Sequence, residues 1–323
     1  MGLGNYTIKR LLLLVPVFIG VTAAVFLLLK LAPGDAVSAL LPPRSRNPET
    51  VAQLEARLGL DQPIYIQYLK WLANALQGDL GRSYATRQPV TGMILSRLWP
   101  TVQISIIAFF VAMFIAIPLG VLSAVYKDQW VDHLSRVIAF TGISIPSFWL
   151  GIMVILVFAL FWQNWFGSSL IPAGGYVAPS EGLFAWLNAA LPPGITLGVG
   201  FSAIVTRLTR SAMVEVLNED YIRTARAKGV KEQALILVHA LRNAMIPVVT
   251  IVGLQVGFLL NGAVVVEQVF QWPGIGRLLY QAVQTNDIPL IQGLVLFIAG
   301  VFVLMNLFVD LTYALLDPRI KYD

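Results

Sequence analysis

The sequence predicts an all-α, polytopic membrane protein with six transmembrane helices and both termini in the cytosol. Three observations carry that prediction. Hydrophobic residues fill 57% of the 323 positions and charged residues only 12%, at a mean hydropathy of +0.76, so polar surface is too scarce to cover a water-soluble globule of this size. Apolar runs reach about 20 residues or more, the length a helix needs to cross roughly 30 Å of hydrocarbon, whereas a membrane β-barrel would show short alternating segments. Basic residues, finally, gather between particular runs, as the positive-inside bias requires. Topology therefore accounts for the sequence pI near 9.5, and nucleic acid is not needed as a partner. With no cysteine in the chain, disulfide staples, thiolate zinc sites and thiol catalysis are excluded.

Lys9 and Arg10 precede the first run, Leu11 to Leu29. That run exceeds the roughly 7 to 15 apolar residues of a secretion signal and leads to Lys30 and Pro33-Gly34-Asp35, not to a small-residue cleavage site. It reads as a retained span, so residues 1–30 form an N-terminal segment with the first helix. Residues 31–99 form a polar, extracytosolic lobe in which Leu54, Leu58, Ile64, Tyr68, Trp71 and Leu72 recur at helical spacings, predicting short amphipathic helices. Asp79-Leu80-Gly81-Arg82-Ser83 reads as a turn. The lobe holds seven basic residues, but loops of around 60 residues escape the positive-inside bias.

Residues 100–323 form the core. The second span runs from about Pro100 to Tyr126, with Pro118 and Gly120 as kink or close-packing positions. A short connection, Lys127 to His133, leads to Arg136 and puts two basic residues on the cytosolic side; a third span follows over about Val137–Trp162, interrupted at Ser144-Ile145-Pro146-Ser147. A loop free of Lys and Arg follows, then a fourth span at about Leu191–Leu208 and a fifth at Pro247–Val266, where Gly253 and Gly257 stand in GxxxG spacing. Trp272-Pro273-Gly274 turns the chain into a short amphipathic piece before the sixth span, about Ile288–Tyr313. The short outside loops carry one basic residue, Arg277, against nine on the two inside loops: Lys127, Arg136, Arg207, Arg210, Arg223, Arg226, Lys228, Lys231 and Arg242.

Chemistry concentrates in the loop 209–246, above all in Glu219 to Pro247. Asn218 or Asp220 is suited to cap a helix over Tyr221–Lys228, Gly229 to stop it, and a second helix is expected over about Lys231–Asn243. From the residues alone, this helix–glycine–helix element is either a basic inside loop kept for topology or a docking surface that moves the adjoining spans. Glu215, Glu219 and Asp220 beside Arg223 and Arg226 suit weak surface ion pairs. Asp310, near the cytosolic end of the sixth span, fits a solvated or capping role better than a proton relay. Gln255 and Asn261 in the fifth span either face a solute path or bond a neighbouring helix. His133 and His239 lack a ligand pattern around them. The Trp272 turn either touches a partner or closes on itself.

At these residues a family resemblance becomes specific. The stretch resembles the cytoplasmic loop of integral-membrane subunits of ABC importers, and EDYIRTARAKG followed by HALRNAMIPVVT is closely similar to the peptide/opine/nickel branch. The similarity extends along nearly the whole chain: PGD, LGLDQPIYIQYLKWL, GDLGRSY, SIPSFWLG, VEQVFQWPGIGRLL and DPRI. It is closest to the B-type permease of dipeptide and oligopeptide importers. The general importer motif begins Glu-Ala-Ala, where this chain has Arg223-Thr224-Ala225, and its later Pro is displaced to Pro247. Both departures match the peptide branch.

The resemblance implies a type I importer permease fold and a transport subunit that is not itself an enzyme. It implies coupling to partner ATPases through Glu219, Asp220, Tyr221, Arg223, Thr224, Ala225, Arg226, Ala227, Lys228 and Gly229. It also implies a homologous C-type permease as heterodimer partner, two ABC ATPase subunits, an extracytosolic solute-binding protein and surrounding lipid in a bacterial inner membrane. The chain has no G-x-x-x-x-G-K-[ST] loop, so ATP and Mg belong on the partner subunits and no cofactor is expected here. Within the branch, nickel complexes and opines are alternatives to peptides. A secondary carrier would need coupling carboxylates deep in the spans and repeated halves, and a membrane enzyme a nucleophile, base or metal motif; neither pattern is present.

Overall fold

A computed structural model describes the backbone of residues 3–31 and 47–316, with side chains at 12–27, 30, 47–56, 59–253 and 263–307. The described residues are nearly all helical and fall into two compact units. One comprises residues up to Trp99 with Gly274–Leu307; the other comprises Pro100–Pro273 with the described part of Phe308–Ile320. Among the described residues, five helices are long and apolar enough to cross a membrane: Val90–Val125, Ser147–Phe166, Leu183–Leu217, Glu232–Gly253 and Ile288–Leu307. In the first expected span, the described apolar stretch is the shorter Leu12–Leu27.

In the first unit, α1 (Leu3–Leu31) packs against α3 (Ile64–Leu76). The Thr22 hydroxyl lies 2.8 Å from the Tyr68 hydroxyl, and Phe26 meets the rings of Tyr68 and Trp71. Between them, α2 (Pro48–Leu58) begins where the Asn47 side chain accepts from Thr50 N at 2.7 Å and ends at Gly59, φ +67°, a conformation glycine adopts without steric cost. The expected lobe helices and the Asp79–Ser83 turn are therefore present; Asp79 Oδ1 accepts from Gly81 N at 2.9 Å. Val90 and Ile94 of α4 (Val90–Val125) pack with Ile275 and Leu278 of α10 (Ile275–Gln284) and with Leu290 and Leu294 of α11 (Ile288–Leu316). Asp287, at the head of α11, is buried and accepts from Ser83 Oγ, Tyr84 N and Ala85 N, pinning the turn.

The second unit is built around α7 (Leu183–Leu217), which packs against α5 (Trp130–Ser144), α6 (Ser147–Phe166) and α9 (Leu241–Val269). Its seam with α4 is made of small residues. Ala108, Ala112 and Ala116 are fully buried, and a Cβ at Gly194 would fall 2.4 Å from Ile107 Cγ2, one at Gly198 2.8 Å from Ala108 O. Where lipid removes the hydrophobic gain of burial, such close backbone approach supplies the packing. The Gly253–Gly257 spacing singled out above belongs to another helix, α9, and Gly257 is outside the residues with described side chains.

Several boundaries differ from expectation. α4 starts ten residues before Pro100 and runs through it, and α7 runs through Pro192 and Pro193. The third span divides into α5 and α6 at Ile145, whose backbone is extended (φ −80°, ψ 121°), as the residue before Pro146 prefers. No break separates the expected second loop helix from the fifth span: a turn at Glu232–Ala234 and a π-helical segment, Leu235–Ala240, continue directly into α9, past Pro247. Neighbouring helices at membrane depth allow such prolines.

Candidate functional site

The loop after α7 forms as a chain of local decisions. α7 stops at Leu217, with Asn218 donating its side-chain amide back to Val214 O at 2.7 Å. Glu219 is extended and precedes α8 (Asp220–Ala227). The cap therefore differs from expectation, since neither Asn218 nor Asp220 caps α8 and Glu219 stands at that position without a side-chain cap bond. Asp220 is left free to pair with Arg223 at 3.4 Å. Acidic residues at the start of α8 and Arg226 near its end complement the helix dipole.

Gly229 ends α8 as the sequence predicts. Its φ is +79°; its N–H donates to Arg226 O at 3.0 Å and that of Val230 to Ala225 O at 3.2 Å, the paired bonds of a Schellman turn. Across this turn Arg226 holds Glu232 with two bonds, 3.1 and 2.7 Å. Glu219, Asp220, Tyr221, Arg223, Thr224, Arg226, Ala227, Lys228 and Gly229 are all exposed, and Ala225 is half-buried. Together they make one surface.

What holds that surface is a residue the sequence reading passed over. Ile222 is fully buried, packed with Ala124 of α4, Met213 of α7, Leu235 and Ala240 of the π segment and Ala244 of α9. Tyr221 Oη adds a polar tie, accepting from Asn243 Nδ2 at 2.8 Å. The signal was the apolar pair at 222 and 225 in a polar helix, an i, i+3 spacing on one face. α8 thus rests on the ends of three long helices and turns its charges outward.

A second cluster lies under this end of the unit. Asp132, a member of the short connection after the second span to which the sequence assigns no role, is fully buried. It accepts from Arg210 Nε at 2.8 Å and Nη2 at 2.7 Å, from Ser123 Oγ at 2.5 Å and from Asp128 N at 3.0 Å, with Arg136 Nε at 3.4 Å. Hydrogen bonding from Arg210 holds its carboxyl far below the usual range, against the opposing effect of burial, with Ser123 and Asp128 adding to the depression. This network ties α4, α5 and α7 together. Among the described residues no group of three or more His, Asp and Glu is placed to hold a metal; His133 bonds Arg136 Nη2 at 2.8 Å. Trp272 turns inward: fully buried, it donates from Nε1 to Pro100 O at 2.8 Å and meets Tyr176 edge to face. Gln255, Asn261 and Asp310 lie outside the residues with described side chains.

Known proteins supply the context for this arrangement. The family model described as binding-protein-dependent transport system inner membrane component matches residues 116–322, and its N-terminal companion matches residues 3–106. The glutathione transport system permease protein GsiC of Escherichia coli O6:H1 is 44% identical over 318 residues, covering 98% of this chain and 99% of the relative. The Salmonella paratyphi A protein of the same name is 42% identical over the same coverage. Among solved structures, an inward-facing conformation of the MetNI methionine ABC transporter superposes with a TM-score of 0.53 at 18% identity, covering 70% of this chain and 96% of that one. The last likeness is one of fold.

Proposed function

The chain belongs to the family of binding-protein-dependent transport system inner membrane components, multi-pass proteins of the bacterial inner membrane, and on that premise we propose that it is one of two permease subunits of an ATP-driven peptide importer. The observation that carries the reading is α8: a short helix, exposed along its charged face, anchored by Ile222 on the ends of α4, α7 and α9. A partner that grips this face moves all three long helices through one buried contact.

In this reading the residues from Glu219 to Gly229 enter a cleft of an ABC ATPase. ATP and Mg bind on two such subunits, and their closure shifts the permease pair between inward-open and outward-open states. The loop 209–246 and both termini are cytosolic, the lobe 31–99 faces outward toward a solute-binding protein, and the core 100–323 pairs with a homologous C-type permease. Gln255 and Asn261 are assigned to the solute path. A peptide-type substrate is favoured because a 44% identical relative is named for glutathione, itself a small peptide; di- and oligopeptides are the proposed cargo.

The test is gentle purification of the tagged chain at native expression, with identification of what accompanies it. A second permease and ABC ATPases in stoichiometric amounts are expected. Recovery of the chain alone, with transport retained after reconstitution in nanodiscs, would replace this reading with a self-contained carrier.

A further inference from the structure

Within the second unit a cavity of about 200 Å³ opens where α4, α5 and α7 meet. Its walls carry three guanidinium groups, Arg136 of α5 and Arg207 and Arg210 of α7, and no carboxylate. The Asp132 carboxylate lies behind them, fully buried and held by Arg210, while Asp128 contributes a weaker field on Arg210. Arg207 is exposed, and none of the hydrogen bonds and ion pairs that tie up Arg136 and Arg210 reaches it. Away from the arginines along the same two helices the lining turns apolar, with Ala139, Phe140 and Ile143 one to two turns after Arg136 and Ala203 one turn before Arg207; the remaining lining residues are hydroxyl side chains. Phe140 is 59% exposed and Ile143 47%.

The level of this cavity follows from charge alone. α7 carries no charged residue from Leu183 to Thr206, a rise of about 36 Å, which just exceeds the roughly 30 Å hydrocarbon core; Arg207 is the first charge after it. α5 and α6 carry none from Val137 to Phe166, and Arg136 is the last charge before that stretch. Two independent runs therefore change from charge-free to basic at one pocket. That change marks the boundary between hydrocarbon and headgroups.

We propose that this cavity binds an anionic phospholipid, its headgroup phosphate on Arg136 and Arg207 and one acyl chain along Phe140, Ile143 and Ala203. Arg210, neutralised by Asp132, shapes the basic end without supplying free charge. A free anion would leave the exposed apolar wall without an occupant, and a peptide in water would not reach a wall that lies on the hydrocarbon side of the charge boundary. A lipid satisfies both halves, as basic pockets between spans do at a membrane surface. The inference requires only that the chain spans a membrane, so it stands apart from the importer reading.

The test uses the full chain in nanodiscs of phosphatidylcholine with a minority of phosphatidylglycerol, released into mild detergent for native mass spectrometry. Wild type is expected to retain phosphatidylglycerol, Arg207→Gln to retain about fivefold less, and Arg207→Lys to retain most of it. Arg136→Gln gives the same readout should Arg207→Gln fail to fold in phosphatidylcholine alone. Equal retention by the Gln variants and wild type would overturn the proposal. So would stabilisation of the wild type by inorganic phosphate or an anionic tripeptide that matches that of phosphatidylglycerol, since either result would assign the arginines to a free anion or a solute.

Discussion

Two ion pairs at one end of the second unit share a contact distance and little else. Arg226 meets Glu232 and Arg210 meets Asp132, each with a closest approach of 2.7 Å. The first pair is half-exposed on both sides, at 51% and 55%; in the second the carboxylate is fully buried and the arginine 21% exposed. In water the attraction of charges is screened and barely exceeds the cost of fixing two long side chains. Once buried, a carboxylate has no water to return to, and removing its partner leaves an uncompensated charge. The difference teaches where the two clusters do their work. The Asp132 network is structural, locking α4, α5 and α7; the α8 surface keeps its charges in solvent, available to a partner.

The sharpest way to break the comparison is to remove each arginine in turn. Arg210→Ala removes both short bonds to Asp132 and leaves it Arg136 at 3.4 Å as its one cationic partner, so a loss of about 3 kcal/mol, at the low end for a broken buried pair, is expected, visible as a lower thermal denaturation midpoint in detergent. Arg226→Ala is expected to leave that midpoint where it was. Next in size, Ile222→Ala empties a fully buried contact outside the spans and should cost about 2 kcal/mol or more; its signature is protease sensitivity at α8 with the spans intact.

Gly229→Val acts on the backbone. At φ +79° a β-branched residue is strained by about 1 to 2 kcal/mol, enough to distort the Schellman turn. The variant is expected at normal levels in the membrane, with ATP hydrolysis uncoupled from uptake; normal uptake would remove the turn from the mechanism. The smallest effect concerns pH. Asp132 has a folded-state pKa below its ordinary value, so its stabilisation is fully present above the unfolded pKa near 3.9 and is lost only as pH falls through the lower, folded value. The stability gap between wild type and Asp132→Asn should therefore stay flat from about pH 8 to about pH 5. A gap that closes within that window would mean Asp132 is not held as the geometry says.

Much of this was legible in the residues. The charge-free runs marked the five long apolar helices, the amphipathic spacings marked α2, α3 and α10, and Gly229 marked the stop of α8. Prolines misled as boundaries. Pro100 and Pro247, read as the starts of spans, sit inside helices, because at membrane depth neighbouring helices satisfy what a proline frees, whereas Pro146 does break its helix. Asp132 was hidden for a different reason. A carboxylate beside Asp128 and His133 looks like any solvated connection until the fold brings Arg210, 78 positions away, against it. Ile222 was overlooked because its apolar partner on that face, Ala225, is small, and so short a pair in a charged helix has little weight until the neighbours on three other helices are in place.

The measurement that tests the central claim most directly is site-specific crosslinking from α8 in the assembled complex. The chain has no cysteine, so Ala227→Cys, exposed near the end of α8, places a single thiol on the proposed coupling face. A short bifunctional reagent is predicted to join that residue to an ABC ATPase, with a yield that changes when ATP is added. A thiol that labels freely in the intact, transporting complex and never crosslinks to an ATPase would contradict the account.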